Sequence, residues 1–545
     1  MSEATSLPHE MASLTSSPRT SAASLPEGRA QTFNLRADSS CQSLEYDYSQ
    51  TFKKTTTNRN GERNNGTLRL VIVVVSMMLV SLLLALLLRH PPRKRSVVVA
   101  TKFGLVRAFQ VPVEGSRRVM QYMGIPYAQS TAHENRFAMP KDVPPLTVPS
   151  ADQTIKAVEE WDQPSRPCPQ ASSHLPQWLQ VATTNGSEDC LRLNIWTPDS
   201  QCLRQGPLCG NRTVVVFIHG GDFLYGSNAG YDGTLMSSRG DLVVAVPNYR
   251  LGILGFVNGR SPENPGNLGL YDQLSALRWL RANVGYFGGD AKRMVLVGHD
   301  SGATSIGYLL LSRRKELVDI SRFVFLSGNP FTRYTRSSDD TRTVILSAAK
   351  QSQCAPKDPN WPSHGDNASV EELLSCLRHV DLNQLEPCIQ SSIGWGPNLN
   401  DKTLFPNSRL ALLGNQSSLA GKRFLIGTYA DDAYSVTNNI TQYETKSVIK
   451  TQSSRRKDGT TLIQVEKRLQ NHTFTAEHLA NAGSDVYVYF LARSLVHPTK
   501  STSSGKDYAD VGMLMSRNVG AKWSSSGFVA LPSFLDTVVL FAKTG

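Results

Sequence analysis

The sequence predicts an α/β protein: a large, mostly parallel central sheet flanked by helices, preceded by a transmembrane helix and a disordered N-terminal tail. Three observations carry that expectation. Short, continuously apolar runs alternate with helical patterns after residue 98, one nineteen-residue stretch carries no charge, and residues 1–67 hold twenty Ser or Thr with scarcely any apolar periodicity. The chain has 545 residues, 40% of them hydrophobic, and a formal net charge of +12 from 57 basic and 45 acidic residues. That composition suits a globular chain and excludes wholesale disorder, collagen and a multi-span transporter. The basic residues are scattered, apart from clusters near 53–69 and 89–95, so no nucleic-acid partner is expected.

Residues 1–69 read as a Ser/Thr-rich tail whose composition cannot bury a core. Within it, Leu44-Glu-Tyr46-Asp-Tyr48 is either a kinase substrate or part of an inert solvated stretch. Residues 70–88 (LVIVVVSMMLVSLLLALLL) are closed at both ends by Arg69 and Arg89. At 1.5 Å per residue the run is roughly 28 Å long, close to the ~30 Å hydrocarbon core of a bilayer. A buried soluble helix is seldom so long without a charge. A cleaved signal peptide would not follow 69 residues or lack a small-residue cleavage site. Residues 89–97 form a basic linker. The flanks tie, with Lys53, Lys54, Arg59, Arg63 and Arg69 before the span and Arg89, Arg93, Lys94, Arg95 and Lys102 after it, so the positive-inside rule does not orient it. Orientation comes instead from six acceptor sequons beyond residue 96, at Asn185, Asn211, Asn367, Asn415, Asn439 and Asn471, against one in the tail at Asn65. Seven of the eight cysteines also lie beyond residue 96. Both features suit an exported domain. The expected topology is single-pass type II at the cell membrane, with the tail cytoplasmic and residues 98–545 extracellular.

In that domain, residues 214–218, 242–246, 294–297, 323–326, 424–426 and 486–490 are short apolar runs, as strands covered on both faces should be. Residues 271–280 (YDQLSALRWL) show helical spacing between the second and third.

Seven motifs then follow in order: Gly124-Ile-Pro-Tyr-Ala128 with Arg136-Phe137, Glu188-Asp-Cys190-Leu-Arg-Leu-Asn194, His219-Gly220-Gly221, Asn248-Tyr-Arg-Leu-Gly252, Gly266-Asn-Leu-Gly-Leu-Tyr-Asp-Gln273, Phe287-Gly-Gly-Asp290, and a final Phe541-Ala-Lys-Thr-Gly545. In order and rough spacing they resemble the type B carboxylesterases and cholinesterases. The resemblance implies an α/β-hydrolase fold and no cofactor or metal. In relatives several dozen residues follow the last motif, so the C-terminal end reads as short.

The fold requires a nucleophile at a Gly-x-Ser-x-Gly elbow, with an acid and a His supplied later. Here the elbow reads Gly298-His299-Asp300-Ser301-Gly302. Asp300 stands at the nucleophile position, and Ser301 is one place late, turned about 100° further round the following helix. The resemblance puts Asp432 at the acid position and Tyr508 at the histidine position; His497 comes too early. Relatives read HGGGF at the oxyanion loop, whereas this chain reads His219-Gly220-Gly221-Asp222-Phe223. The degenerate oxyanion set is therefore Gly220, Gly221, Asp222 and Ser301, with the Asp222 carboxylate expected close to where negative charge would develop and to Asp300. No catalytic residue is assigned, and a pseudo-esterase is expected. The alternative is a membrane-anchored active carboxylesterase. An Asp nucleophile, as in epoxide hydrolases, would still need a His to activate water.

The resemblance also implies disulfides Cys168–Cys190 and Cys354–Cys376, each contributing roughly 3 kcal/mol, and a structural ion pair between Arg136 and Glu188. Cys202–Cys209 is a third candidate pair without family precedent, and Cys388 is left over. Trp178 lies where cholinesterases place a choline-binding Trp, but its offset from Cys190 favours packing. A type II anchor with a broken esterase site is similar to the neurotactin-like adhesion branch of the family. That implies heterophilic binding of an extracellular protein, with the immunoglobulin superfamily as a candidate class, and a homodimer as a further expectation.

Overall fold

The computed structural model describes residues 72–81, 95–101, 104–113, 117–143, 158–160, 165–170, 185–199, 211–312, 314–330, 338–354, 370–389, 395–399, 401–405, 419–429, 462–491, 515 and 525–545. The chain divides into two compact units, Met1–Arg89 and His90–Gly545. In the first, residues 72–81 are helical, and the Ser81 hydroxyl donates back to the carbonyls of Met77 (2.7 Å) and Met78 (3.0 Å). Such back-bonding hides a hydroxyl on a largely apolar helix. Among the described residues no helix is long and apolar enough to cross a membrane; the rest of 70–88 lies outside them.

Among the described residues, the second unit is built on one 11-stranded sheet. Its strands are β1 Arg95–Thr101, β2 Gly104–Pro112, β3 Arg118–Pro126, β4 Val158–Glu160, β5 Arg192–Pro198, β6 Arg212–Ile218, β7 Val243–Pro247, β8 Gly289–His299, β9 Arg322–Leu326, β10 Arg423–Tyr429 and β11 Asp485–Leu491. The order is β1-β2-β3-β5-β7-β6-β8-β9-β10-β11, with β4 paired to β2. From β7 to β11 every neighbouring pair is parallel. All six runs expected as strands fall in this half, and the expected helix lies inside Leu268–Asn283. Strand β11, however, lies at the sheet edge with Tyr487 and Val488 exposed rather than buried. The apolar runs are continuous because alternate side chains enter two separate cores. Val214, Val216 and Ile218 join the core that contains the helices Leu268–Asn283 and Ser301–Leu311. Val215 and Phe217 join the core closed by the helix Ser525–Thr544.

The antiparallel extension from β1 to β5 is not among the expected strands. Most of its sequences interleave polar residues, as in RVMQYMGIP of β3; β1 does hold a short apolar run, Val97-Val-Val-Ala100, which is likewise outside the expected strands. The buried Gln121 there donates to the Thr234 hydroxyl at 2.9 Å. Strand β1 begins at Arg95, within the 89–97 stretch.

Two disulfides form as the resemblance implied, Cys168–Cys190 and Cys354–Cys376. Cys388 is free and buried, and Cys202 and Cys209 lie outside the described residues. Between the two disulfide loops sits the buried ion pair. Arg136 grips Glu188 through Nε and Nη2, both at 2.7 Å, and Nη1 donates to the carbonyls of Leu377 (2.8 Å) and Val380 (2.6 Å). One guanidinium thus ties the Cys190 loop to the helix Val370–His379. Glu188→Ala would strand that cation in the interior, and we expect it to lower unfolding stability by about 3–5 kcal/mol, read from urea denaturation beside the milder Glu188→Gln.

Candidate functional site

The sheet order places one crevice above all others. The chain leaves β6 for β7 on one side and reaches β8 on the other. In open α/β sheets, ligands enter where the order reverses in this way, beyond the carboxyl ends of the strands. Two segments meet there: the loop His219-Gly220-Gly221-Asp222-Phe223 after β6, and the elbow that carries β8 into the helix Ser301–Leu311.

The elbow keeps its glycines because the packing admits nothing larger. A methyl on Gly302 would run into the Ile218 carbonyl, one on Gly298 would lie 2.5 Å from the Ala303 nitrogen, and one on Gly328 would strike the Asp300 carbonyl. Between Gly298 and Gly302, Asp300 adopts φ 50° and ψ −117°, a conformation that costs a non-glycine residue about 1–3 kcal/mol. The hairpin bend is therefore intact, with a carboxylate at its apex.

That carboxylate occupies the oxyanion loop. Asp300 Oδ2 accepts the backbone N–H of Gly221 at 3.0 Å and that of Asp222 at 3.1 Å. The two donors that would meet a developing oxyanion instead hold a side chain of the protein itself. Gly221, Asp222 and Phe223 have φ of 120°, 60° and 61°, so the loop needs three consecutive left-handed residues. Asp is one of the few side chains that tolerates this. The expected effect of Asp222 is thereby refined: its backbone N–H is bound to Asp300, and its half-buried side chain is not the anion that fills the donors. Gly220 packs under the same apex, where a methyl would lie 2.9 Å from Asp300 Cβ.

Ser301 is fully buried at the start of the helix, and its hydroxyl lies against that of Tyr249. It faces the interior, as expected from its place one step past the apex. Beneath the loop, the ring of His219 stacks on Tyr249 at 4.4 Å and Tyr231 at 6.3 Å. Tyr249 donates to the His219 carbonyl at 2.9 Å. Burial drives the His219 pKa down to about 4, so the imidazole is neutral near pH 7. Burial raises both phenols, and the Asp300 charge adds to it. Gln170, two residues after Cys168, closes the far end of the loop by donating to Gly226 O (3.0 Å) and accepting from Gly226 N (2.8 Å).

The structure thus gathers Gly220, Gly221, Asp222, Asp300 and Ser301 at one crevice. Asp432, Tyr508, His497 and Trp178 lie outside the described residues. One buried histidine was not anticipated. His472, on the helix Leu462–Asn481, meets Asn329 at 3.3 Å, and the Asn329 carbonyl accepts from Thr304 on the elbow helix at 3.1 Å. Nothing local in the sequence marks it, since its neighbours across the interior are more than 100 residues away. Sequons Asn185 and Asn211 are exposed, and Asn471 lies within the helix Leu462–Asn481. The other three are outside the described residues, among which no His, Cys, Asp or Glu cluster could hold a metal.

Comparison with known proteins agrees with this geometry. A model of the carboxylesterase family matches residues 95–510. Acetylcholinesterase-1 of Trittame loki is 34% identical over 285 residues, 52% of this chain and 48% of that protein. Acetylcholinesterase of Danio rerio is 34% identical over 296 residues, covering 53% and 43%. Neuroligin-2 of Homo sapiens is 31% identical over 324 residues, covering 53% and 36%. The chain spans about half the length, or less, of these curated relatives.

The depressed His219 pKa carries a testable sign. Above pH 6.5 the ring is neutral folded and unfolded, so stability is full. Between pH 6.5 and about 4 only the unfolded chain takes the proton, and stability should fall by about 1.4 kcal/mol per pH unit from this group. Urea midpoints across that range should drop more steeply for the native chain than for His219→Phe. Parallel slopes would show that the ring titrates normally.

Proposed function

We propose, for a chain that belongs to the carboxylesterase family, a role in recognition rather than hydrolysis. It is a single-pass type II membrane glycoprotein whose cholinesterase-like ectodomain is non-catalytic and binds an extracellular protein in heterophilic cell adhesion or cell-surface recognition.

One observation carries this reading: the Asp300 carboxylate resting on the Gly221 and Asp222 N–H groups. Ester hydrolysis in this fold needs a hydroxyl nucleophile at the elbow and free donors for the oxyanion. A substrate carbonyl entering here would have to displace a carboxylate. It would then develop charge beside that anion, a repulsion of about 4 kcal/mol at about 4 Å and an effective dielectric of about 20. Attack by Asp300 itself would withdraw the oxygen that holds the loop. Ser301 offers no substitute, being buried against Tyr249.

The wider assignment rests on several supports. Likeness to neuroligin-2 accompanies the loss of the serine, favouring the adhesion branch. Disulfides Cys168–Cys190 and Cys354–Cys376 persist in oxidising compartments, and the exposed Asn185 and Asn211 are accessible to glycan. We accordingly place residues 1–69 in the cytoplasm, 70–88 in the bilayer, 89–97 as linker and 98–545 outside, glycosylated at the six sequons. The partner is an extracellular protein, with the immunoglobulin superfamily as the candidate class, and a homodimer is compatible with this role. The second reading, a membrane-anchored ester hydrolase, draws on the two acetylcholinesterases at 34% identity.

An active-serine organophosphate should not label the full chain, and simple esters should not turn over above background. Labelling that disappears in Ser301→Ala would establish the hydrolase instead. Asp300→Ser alone should stay inactive, because a serine hydroxyl needs a base within about 2.6–3.2 Å and Asp222 would remain in the loop. Only the triple change Asp300→Ser, Tyr508→His and Asp222→Gly, with Asp432 as acid, restores the family pattern; triad members act as a unit, so partial repairs should look alike.

Endoglycosidase should lower the mass of the intact protein by several glycans. An unglycosylated domain digested by protease added outside sealed microsomes would refute the topology.

A further inference from the structure

The end of the sheet opposite the crevice carries a row of cations that neither hydrolysis nor the adhesion reading uses. Strands β6, β8, β9 and β10 lie side by side. Arg212 opens β6, Lys292 and Arg293 lie in the first half of β8, Arg322 opens β9 and Arg423 opens β10. Arg322 pairs directly with Arg423 and with Val295. Lys292 and Arg293 sit in the irregular stretch between the Arg212–Gly289 and Val214–Met294 pairs, so the five cations gather at the same end of the sheet. Like charges opposite one another on neighbouring strands cost stability, a cost that other contacts must offset.

Internal partners only partly account for the row. Arg322 Nη1 donates to Ala542 O at 3.3 Å and Arg423 Nη1 to Thr544 O at 2.7 Å. Both thereby cap the C-terminus of the helix Ser525–Thr544, which attracts cations. Arg293 is held by uncharged groups, the Asn211 carbonyl (2.6 Å) and its Oδ1 (3.0 Å). The opposing acids are exposed: Asp241 meets Arg212 at 2.8 Å and Asp485 meets Arg423 at 3.4 Å. The Arg322 Nε is buried and makes no hydrogen bond. Burial, then Arg423 and Arg293 beside it, hold the Arg322 pKa below its ordinary value. The guanidiniums therefore act on one another, and an outside anion would relieve them.

We propose that this row is a docking site for a sulfated polysaccharide lying across the strands. Three strand spacings of about 4.8 Å spread the cations over about 14 Å, a length suited to a linear polymer of oxyanions rather than one small anion. Guanidiniums present forked donors that match oxyanions in pairs. The proposal rests on the extracellular placement above, because such polymers coat the outside of cells, but its test does not.

The test is binding of a size-defined heparin oligosaccharide to the purified full chain in detergent, its glycans removed because Arg293 rests on the sequon Asn211, across a salt series. A polyglutamate of matched charge and a single-stranded oligonucleotide serve as comparators. Heparin should bind tightest. Lys292→Gln, Arg293→Gln and Arg423→Gln should each lower the slope of log affinity against log salt by about one, and Lys402→Gln, in the loop beside Asn267, should not. Lys292 is exposed at the surface, so its variant keeps the test valid if Arg423→Gln loosens the helix. Equal binding of polyglutamate, tighter binding of the oligonucleotide, or a Lys402→Gln effect as large as the others would overturn the site. None of these outcomes bears on catalytic status or membrane topology.

Discussion

A single carboxylate oxygen, Asp300 Oδ2 between the N–H groups of Gly221 and Asp222, joins the two loops that define the crevice. One follows β6, the other follows β8, and the strands beneath them are neighbours in the parallel half of the sheet. Backbone donors on a left-handed loop need an acceptor: an unpaired buried N–H costs about 1–3 kcal/mol, and a bond to a charged acceptor returns about 1.5–3. In a working hydrolase those donors must wait for the reaction. Here they are satisfied at rest, and the loop is stabilised by the residue at the apex of the elbow.

The scaffold around the elbow does not depend on the residue at its apex. The glycines around the elbow are held by collisions with Ile218, Ala303 and Asp300 backbone atoms, which do not depend on what stands at the apex. The same holds deeper down. Arg250 grips Asp272 through Nε (2.8 Å) and Nη2 (2.7 Å) and reaches the Ala138 carbonyl at 2.7 Å. With Arg136–Glu188 it forms a pair of buried ionic clamps, in which losing one partner costs far more than the intact pair contributes. Such features preserve a fold while its site is free to change.

The sheet therefore has two ends of different character. At the carboxyl ends of the strands an anionic apex has neutralised its own donors. At the amino ends, cations crowd one another around a helix terminus. The recognition role proposed above would use both, because binding needs complementary surface rather than a poised nucleophile.

Much of this was legible in the chain itself. Continuous apolar runs identified the parallel strands, because burial on both faces removes the alternation that a half-exposed strand would show. Local motifs gave the elbow and the oxyanion loop, since each is a short segment whose spacing survives in sequence, whereas both disulfides and the Arg136–Glu188 pair came from the family resemblance. Asp300 and Asp222 were visible as two carboxylates where glycine and serine belong. Their relation was not. Hydrogen bonds from residues 221 and 222 to residue 300 span nearly 80 positions, and only folding decides that the Asp300 side chain, rather than that of Asp222, meets the donors. The antiparallel strands, the His472–Asn329 contact and the row of arginines likewise depend on register and on contacts between distant segments. The sequence sets which groups exist and what each can bond; the tertiary structure alone decides which of them stand within 3 Å, because distance falls so fast in its effect on hydrogen bonds and charges.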